Sequence, residues 1–158
     1  MPEKAIDSLD KKIVRLLTDD GRIPVGDMAA RLGVTAPTVR SRIKNLEKAG
    51  KLKITGLIDP FEHKDLITAL IGLNILSYGK LDEILEKLAN LDYVTWVSVV
   101  TGRYDVIAEV VVNGGMEDLY RLTTDVIPIV GNIAKTETFV IMKSKRKWVC
   151  LPEGLQDW

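Results

Sequence analysis

Met28-Ala29-Ala30-Arg31-Leu32-Gly33-Val34-Thr35-Ala36-Pro37-Thr38-Val39-Arg40-Ser41-Arg42-Ile43-Lys44-Asn45-Leu46-Glu47-Lys48-Ala49-Gly50 reads as a short helix, a glycine turn and a second, basic helix. Met28, Ala29 and Leu32 form the inner side of the first. Gly33 tolerates the positive φ a tight turn needs. Thr35 can cap the second helix, and Pro37 suits its first turn, where a missing N–H costs little. Val39, Ile43 and Leu46 give that helix a narrow apolar stripe, and Gly50 stops it. A step of 100° per residue puts Pro37, Thr38, Ser41, Lys44, Asn45 and Lys48 opposite the stripe, with Arg40 and Arg42 on its flanks.

Upstream, Leu9, Ile13, Leu16 and Leu17 recur at helical spacing from about Asp7 to Asp19, with Asp7 or Ser8 as cap and Gly21 at the end. Lys51 to Asp59 is rich in β formers and turns at Asp59-Pro60. These elements predict a winged-type helix-turn-helix domain over residues 1–60, with a linker strand.

The remainder has another rhythm. Ile67, Ala69, Ile71, Leu73 and Ile75 alternate as in a strand, and Leu81, Ile84, Leu85, Leu88 and Leu91 repeat as in a helix. Val94 to Val100, a turn at Gly102-Arg103-Tyr104-Asp105, a strand through Val112, a helix from Met116 to Ile127 and a strand from Ile133 to Met142 follow. The order β-α-β-β-α-β is ferredoxin-like, so the predicted class is α+β, with residues 61–158 as an oligomerisation domain. Two helices cover one face of such a sheet, and self-association is the economical cover for the other.

The chain has 158 residues and a net charge of zero, which hides an asymmetry. Residues 1–60 carry twelve Lys/Arg against eight Asp/Glu, and residues 61–158 carry ten against fourteen. Between Arg31 and Lys53 seven basic residues face one acid, Glu47. That concentration is a footprint for a polyanion, against the alternative of a solvated helix face or a trihelical protein-interaction module. An α-helix fits the major groove, where base edges can be read. Thr38 and Ser41, with Lys44 or Arg40, are the candidate base readers. Arg42, Lys48, Lys51 and Lys53 are candidates for phosphates, as is Thr35 with the helix N-terminus.

Other chemistries find little support. Cys150 is the single cysteine and His63 the single histidine, so neither an internal disulfide nor a conventional zinc site is expected. Ser41 and Ser77 have no local histidine partner, and Gly114-Gly115 lacks the Lys-Ser/Thr of a P-loop. No cofactor, metal or catalytic residue is expected. No apolar run reaches a membrane span, and Met1-Pro2-Glu3-Lys4 does not begin a signal peptide; the expected location is the cytoplasm, without membrane contact. The run from Lys143 to Lys147 reads as a solvated strand end, with DNA backbone contact as the alternative. His63 reads as a solvated linker residue. Trp148 and Trp158 suggest a tail docked on a neighbour.

The sequence resembles the Lrp/AsnC, or feast/famine, transcription regulators. The resemblance rests on Leu9-Asp10, Asp20-Gly21-Arg22, Ala29 to Val34, Val39 to Glu47, Ile58-Asp59-Pro60, Val100 to Asp105 and Thr136 to Val140. Pro24 departs from the Ser or Thr common before helix two. The resemblance implies a sequence-specific regulator of double-stranded DNA, a homo-oligomer from dimer to octamer, and an amino acid or related effector bound between C-terminal domains. Carried over, the effector residues are Gly102, Arg103, Tyr104, Asp105, Thr136 and Thr138, with Asp105 suited to an α-ammonium and the threonines to hydrogen bonds. The alternative is a siroheme-decarboxylase-like enzyme of heme biosynthesis with the same domain pairing, which a Soret band would reveal.

Overall fold

The computed structural model describes residues 5–155; Trp158 and the first four residues lie outside them. The chain forms two compact units that divide between Thr55 and Gly56, five residues before the boundary expected from Asp59-Pro60.

The first unit is three helices, α1 (Ser8–Asp19), α2 (Val25–Leu32) and α3 (Ala36–Lys48). Asp7 caps α1 in a reciprocal box: it accepts from Asp10 N at 2.9 Å, and Asp10 accepts from Asp7 N at 3.3 Å. Gly33 ends α2 at φ 66°, as the turn requires. Thr35 Oγ1 caps α3 by accepting from Thr38 N at 3.3 Å. Ile13, Met28 and Val39, one per helix, are fully buried at the centre. The expected wing is not formed: residues 51–57 hold no strand, and Ile58 bridges to Val149 in the second unit instead.

The second unit holds β1 (Ile67–Ile75), α4 (Leu81–Ala89), β2 (Val94–Val99), β3 (Val106–Val112), α5 (Gly115–Arg121) and β4 (Ile133–Val140). The sheet is antiparallel, in the order β2-β3-β1-β4, which is the ferredoxin-like arrangement. After α5 the chain widens into a π turn over Leu122–Val126 and tightens at Ile127–Val130, where Pro128 closes it. Ile71, Leu73, Val106, Val110 and Leu88 are fully buried between sheet and helices.

The opposite face is not left wholly to a partner. Residues 147–155 run back as a strap that packs Val149, Leu151 and Leu155 onto Leu66, Val111 and Tyr93. Val149 exchanges backbone hydrogen bonds with Ile58 at 2.9 and 3.0 Å. Gly154 N donates to Asp92 O at 2.9 Å, and a Cβ there would stand 2.8 Å from the Asp92 Cβ, so only glycine allows this approach. The reading of Lys143 to Lys147 as uniformly solvated is corrected at Lys147, whose ammonium contacts Glu109 in the middle of β3. Glu109 is 2% exposed and also accepts from Thr95 Oγ1 at 2.7 Å. A buried carboxylate needs such partners.

Candidate nucleic-acid interface and effector site

Burial divides α3 cleanly. Val39 and Leu46 point into the core, while Pro37, Arg40, Ser41, Lys44, Asn45 and Lys48 are exposed. Ser41, Lys44 and Lys48 recur at i, i+3 and i+7, so they share one outward stripe. Thr35 and Thr38 stand together at the N-terminal end, their hydroxyl oxygens 2.8 Å apart. Thr38 is half-buried, and its hydroxyl and amide both serve the cap. Lys53 is exposed beyond the helix, and Lys51 is half-buried and engaged within the chain.

Arg42 departs from the expected phosphate role. Its guanidinium turns inward to contact the Asp7 carboxylate and lies 3.2 Å from Asp10 Oδ1. Asp10 is buried, so the flank position that periodicity gave Arg42 is occupied by a clamp between α3 and the start of α1. The Asp10 amide and then Arg42 hold the Asp7 carboxyl below its ordinary range, and Asp7 in turn raises Arg42.

The Gly102–Asp105 turn is also more committed than the sequence suggests. Asp105 Oδ2 accepts from Ile75 N at 2.8 Å, and Oδ1 accepts from the Tyr78 hydroxyl. The Tyr78 hydrogen bond, then the Ile75 amide, lowers the Asp105 pKa, and the same contact raises that of Tyr78. Gly102 sits at φ 124° and is exposed. The Tyr104 ring covers Gly72, where a Cβ would stand 2.7 Å from ring carbons, and meets Phe139 edge-on at 5.9 Å. Arg103 pairs with Glu137 at 3.0 Å.

Thr136 and Thr138 do not join this group. They register opposite Leu73 and Ile71, whose side chains face the helices, whereas Gly72, Glu137 and Phe139 lie on the other face. The alternation along β4 is as expected, but pairing with β1 sends the threonines to the opposite side from Tyr104. Thr136 lines a hollow of about 250 Å³ with Pro128, Gly131 and Asn132. The neighbours of the turn on β4 are Glu137 and Phe139, which sequence reasoning missed; the register of β4 against β1 was the missing information. His63, expected to be solvated, is half-buried and engaged within the chain.

Residues 6–47 match the family described as the AsnC-type helix-turn-helix domain, and residues 68–148 match the Lrp/AsnC ligand binding domain. The chain belongs to the Lrp/AsnC family. An uncharacterised HTH-type transcriptional regulator of Pyrococcus furiosus is 35% identical over 144 residues, covering 90% of this chain and 95% of its own. The regulatory protein AsnC of Haemophilus influenzae is 30% identical over 142 residues, covering 88% and 93%. Among solved structures, the feast or famine regulatory protein from M. tuberculosis complexed with L-methionine superposes with a TM-score of 0.69. It is 26% identical and covers 90% of this chain and 98% of its own. The Lrp/AsnC assignment makes this chain a helix-turn-helix transcription regulator, with α2 and α3 as its motif and the four-stranded unit as its ligand-binding domain.

Proposed function

We propose that this Lrp/AsnC chain reads double-stranded DNA with the exposed side of α3 and is modulated by a free amino acid. The observation that carries the DNA reading is the outward stripe Ser41, Lys44 and Lys48, flanked by Arg40, on a helix whose other side is anchored by buried Val39 and Leu46. Ser41, Arg40 and Lys44 read bases, with Thr38 contributing from the cap. Lys48 and Lys53 meet phosphates, and Thr35 offers the helix N-terminus to one more. Arg42 acts indirectly, by holding the helix.

The amino-acid reading is supported by the L-methionine bound to the M. tuberculosis relative. In this chain the Gly102–Asp105 turn supplies a carboxylate and exposed backbone for an α-amino acid, with Glu137 nearby. Thr136 and Thr138 contribute only from the helix side of the sheet. Assembly follows from the part of the open face the strap leaves bare. Trp96 and Phe139 are 42% and 44% exposed there, beside half-buried Leu70 and Ile107, and a symmetric pair of chains covers them. The chain works in the cytoplasm, without membrane contact; no described helix is long and apolar enough to span a membrane. It acts as a regulator and not as an enzyme.

Selection of bound sites from random duplex DNA, with and without L-methionine or an amino-acid mixture, tests both parts. One enriched, two-fold related motif supports sequence reading, and a change in affinity with one amino acid supports the effector. Absence of any enriched site removes the first, and a Soret band in the purified protein favours the siroheme alternative.

A further inference from the structure

The cations between β4 and the strap have divided duties. Lys147 turns in to buried Glu109, while Lys143, Lys145 and Arg146 are exposed and make no ion pair with a described residue. The turn that carries them is fixed at both ends. Ile141 N donates to Thr68 O at 2.9 Å on one side, and the Val149–Ile58 bridge closes the other. Arg146 takes a left-handed φ of 59°, which completes the turn. The part of the chain beyond residue 60 carries an acidic excess, yet no described carboxylate pairs with these three groups. A positive spot left uncompensated on an acidic unit has its partner outside the chain.

The identity of that partner follows from the bridge. Ile58 lies three residues beyond the helical unit and five beyond Lys53, a candidate phosphate contact. The path from Lys53 to Ile58, across the bridge and back to Arg146 is at most about 34 Å of extended chain. That is about one turn of B-DNA, ~34 Å, along which phosphates recur continuously. We propose that the 143–146 turn is a second phosphate-contacting surface, which grips the backbone of the duplex that α3 reads. This rests on the DNA-binding reading of the helical unit.

The test is the salt dependence of binding to a random-sequence duplex, followed by fluorescence anisotropy between roughly 50 and 200 mM salt. The variant is Lys143→Ala, Lys145→Ala and Arg146→Asn together, asparagine being chosen because it accepts a left-handed φ. Each lost contact lowers the slope by about 0.9, so loss of all three lowers it by about 2.7 per protomer engaged. The control removes the same charge elsewhere on the second unit, through Lys64→Ala, Lys80→Ala and Lys87→Ala, and its slope stays near wild type. An unchanged slope in the turn variant overturns the proposal. An equal fall in the control also overturns it, because net charge alone is then responsible. A turn that binds phosphatidylserine vesicles or single-stranded RNA while the duplex slope is unmoved assigns a different polyanion and overturns it too. If the wild-type chain binds no duplex at all, the reading of α3 fails first and this one with it.

Discussion

Replacing Lys147 by methionine keeps most of the stem and removes the charge opposite Glu109. The Glu109 side chain is 3% exposed and that of Lys147 25%. After the change the carboxylate keeps Thr95 Oγ1 as a donor at 2.7 Å and loses its counter-ion. Breaking a buried pair by removing one partner costs about 3–5 kcal/mol. Because the lysine side is a quarter open, water can reach the vacated position, so the expected cost sits at the lower end, about 3 kcal/mol. For a unit of this size, residues 56–158, that lowers the melting temperature by roughly 12–24 °C. All three tryptophans lie beyond residue 55, so urea unfolding followed by tryptophan fluorescence reports the second unit alone. The companion Glu109→Met, Lys147→Met double variant removes both charges and should recover most of the loss, since apolar replacement of a whole buried pair is often neutral. The strap should loosen only in the single variant, seen as faster hydrogen exchange at the Ile58 and Val149 amides. A single variant within about 0.5 kcal/mol of wild type would mean that the lysine is surface decoration, and the account of the strap would be refuted.

Three further outcomes are expected. Arg42→Ala should leave the salt slope of DNA binding unchanged while lowering thermal stability, whereas Lys48→Ala lowers the slope by about 0.9; equal falls would return Arg42 to the phosphates. The Asp7 carboxyl is depressed in the folded chain, so its stabilisation is complete above the unfolded value of roughly 3.9 and is lost as pH falls through the lower folded value. Helical circular dichroism should therefore decline below about pH 4, and less steeply in Asp7→Asn, which starts less stable; parallel profiles would remove the clamp from the account. Tyr78→Phe should tighten L-methionine binding in calorimetry, because the phenol occupies the Asp105 oxygen an ammonium seeks, and weaker binding would make Tyr78 a support instead of a competitor.

What was legible in the sequence was local. Gly33, Thr35 and Pro37 mark a turn and a cap by their own conformational preferences, and periods of two and 3.6 separate strands from helices. What was not legible depends on pairing at a distance. Arg42 meets Asp7 across 35 residues, and helical periodicity only says that it lies on a flank. The alternation of Thr136 and Thr138 is visible, but which face they share is set by register with β1. The strap is too short and irregular for a periodic signal. One clue was available: Glu109 interrupts the apolar run Val106–Val112, and a carboxylate in the middle of a buried strand demands a cation somewhere.

The same reasoning changes how the charges should be counted. A composition treats every Lys and Arg as free to meet a polyanion, yet buried carboxylates claim some of them first, because an unpaired ion in the interior costs more than a phosphate contact returns. Asp10 claims Arg42 and Glu109 claims Lys147. Of the seven basic residues between Arg31 and Lys53, Arg42 is tied and Lys51 is already engaged within the chain. Five remain exposed, namely Arg31, Arg40, Lys44, Lys48 and Lys53. At about 0.9 each, they bound the contribution of the Arg31–Lys53 segment to the salt slope near 4.5 per protomer, and a larger slope requires cations outside that segment. The net charge of zero therefore says little about DNA affinity, which is decided by the cations that folding leaves unpaired.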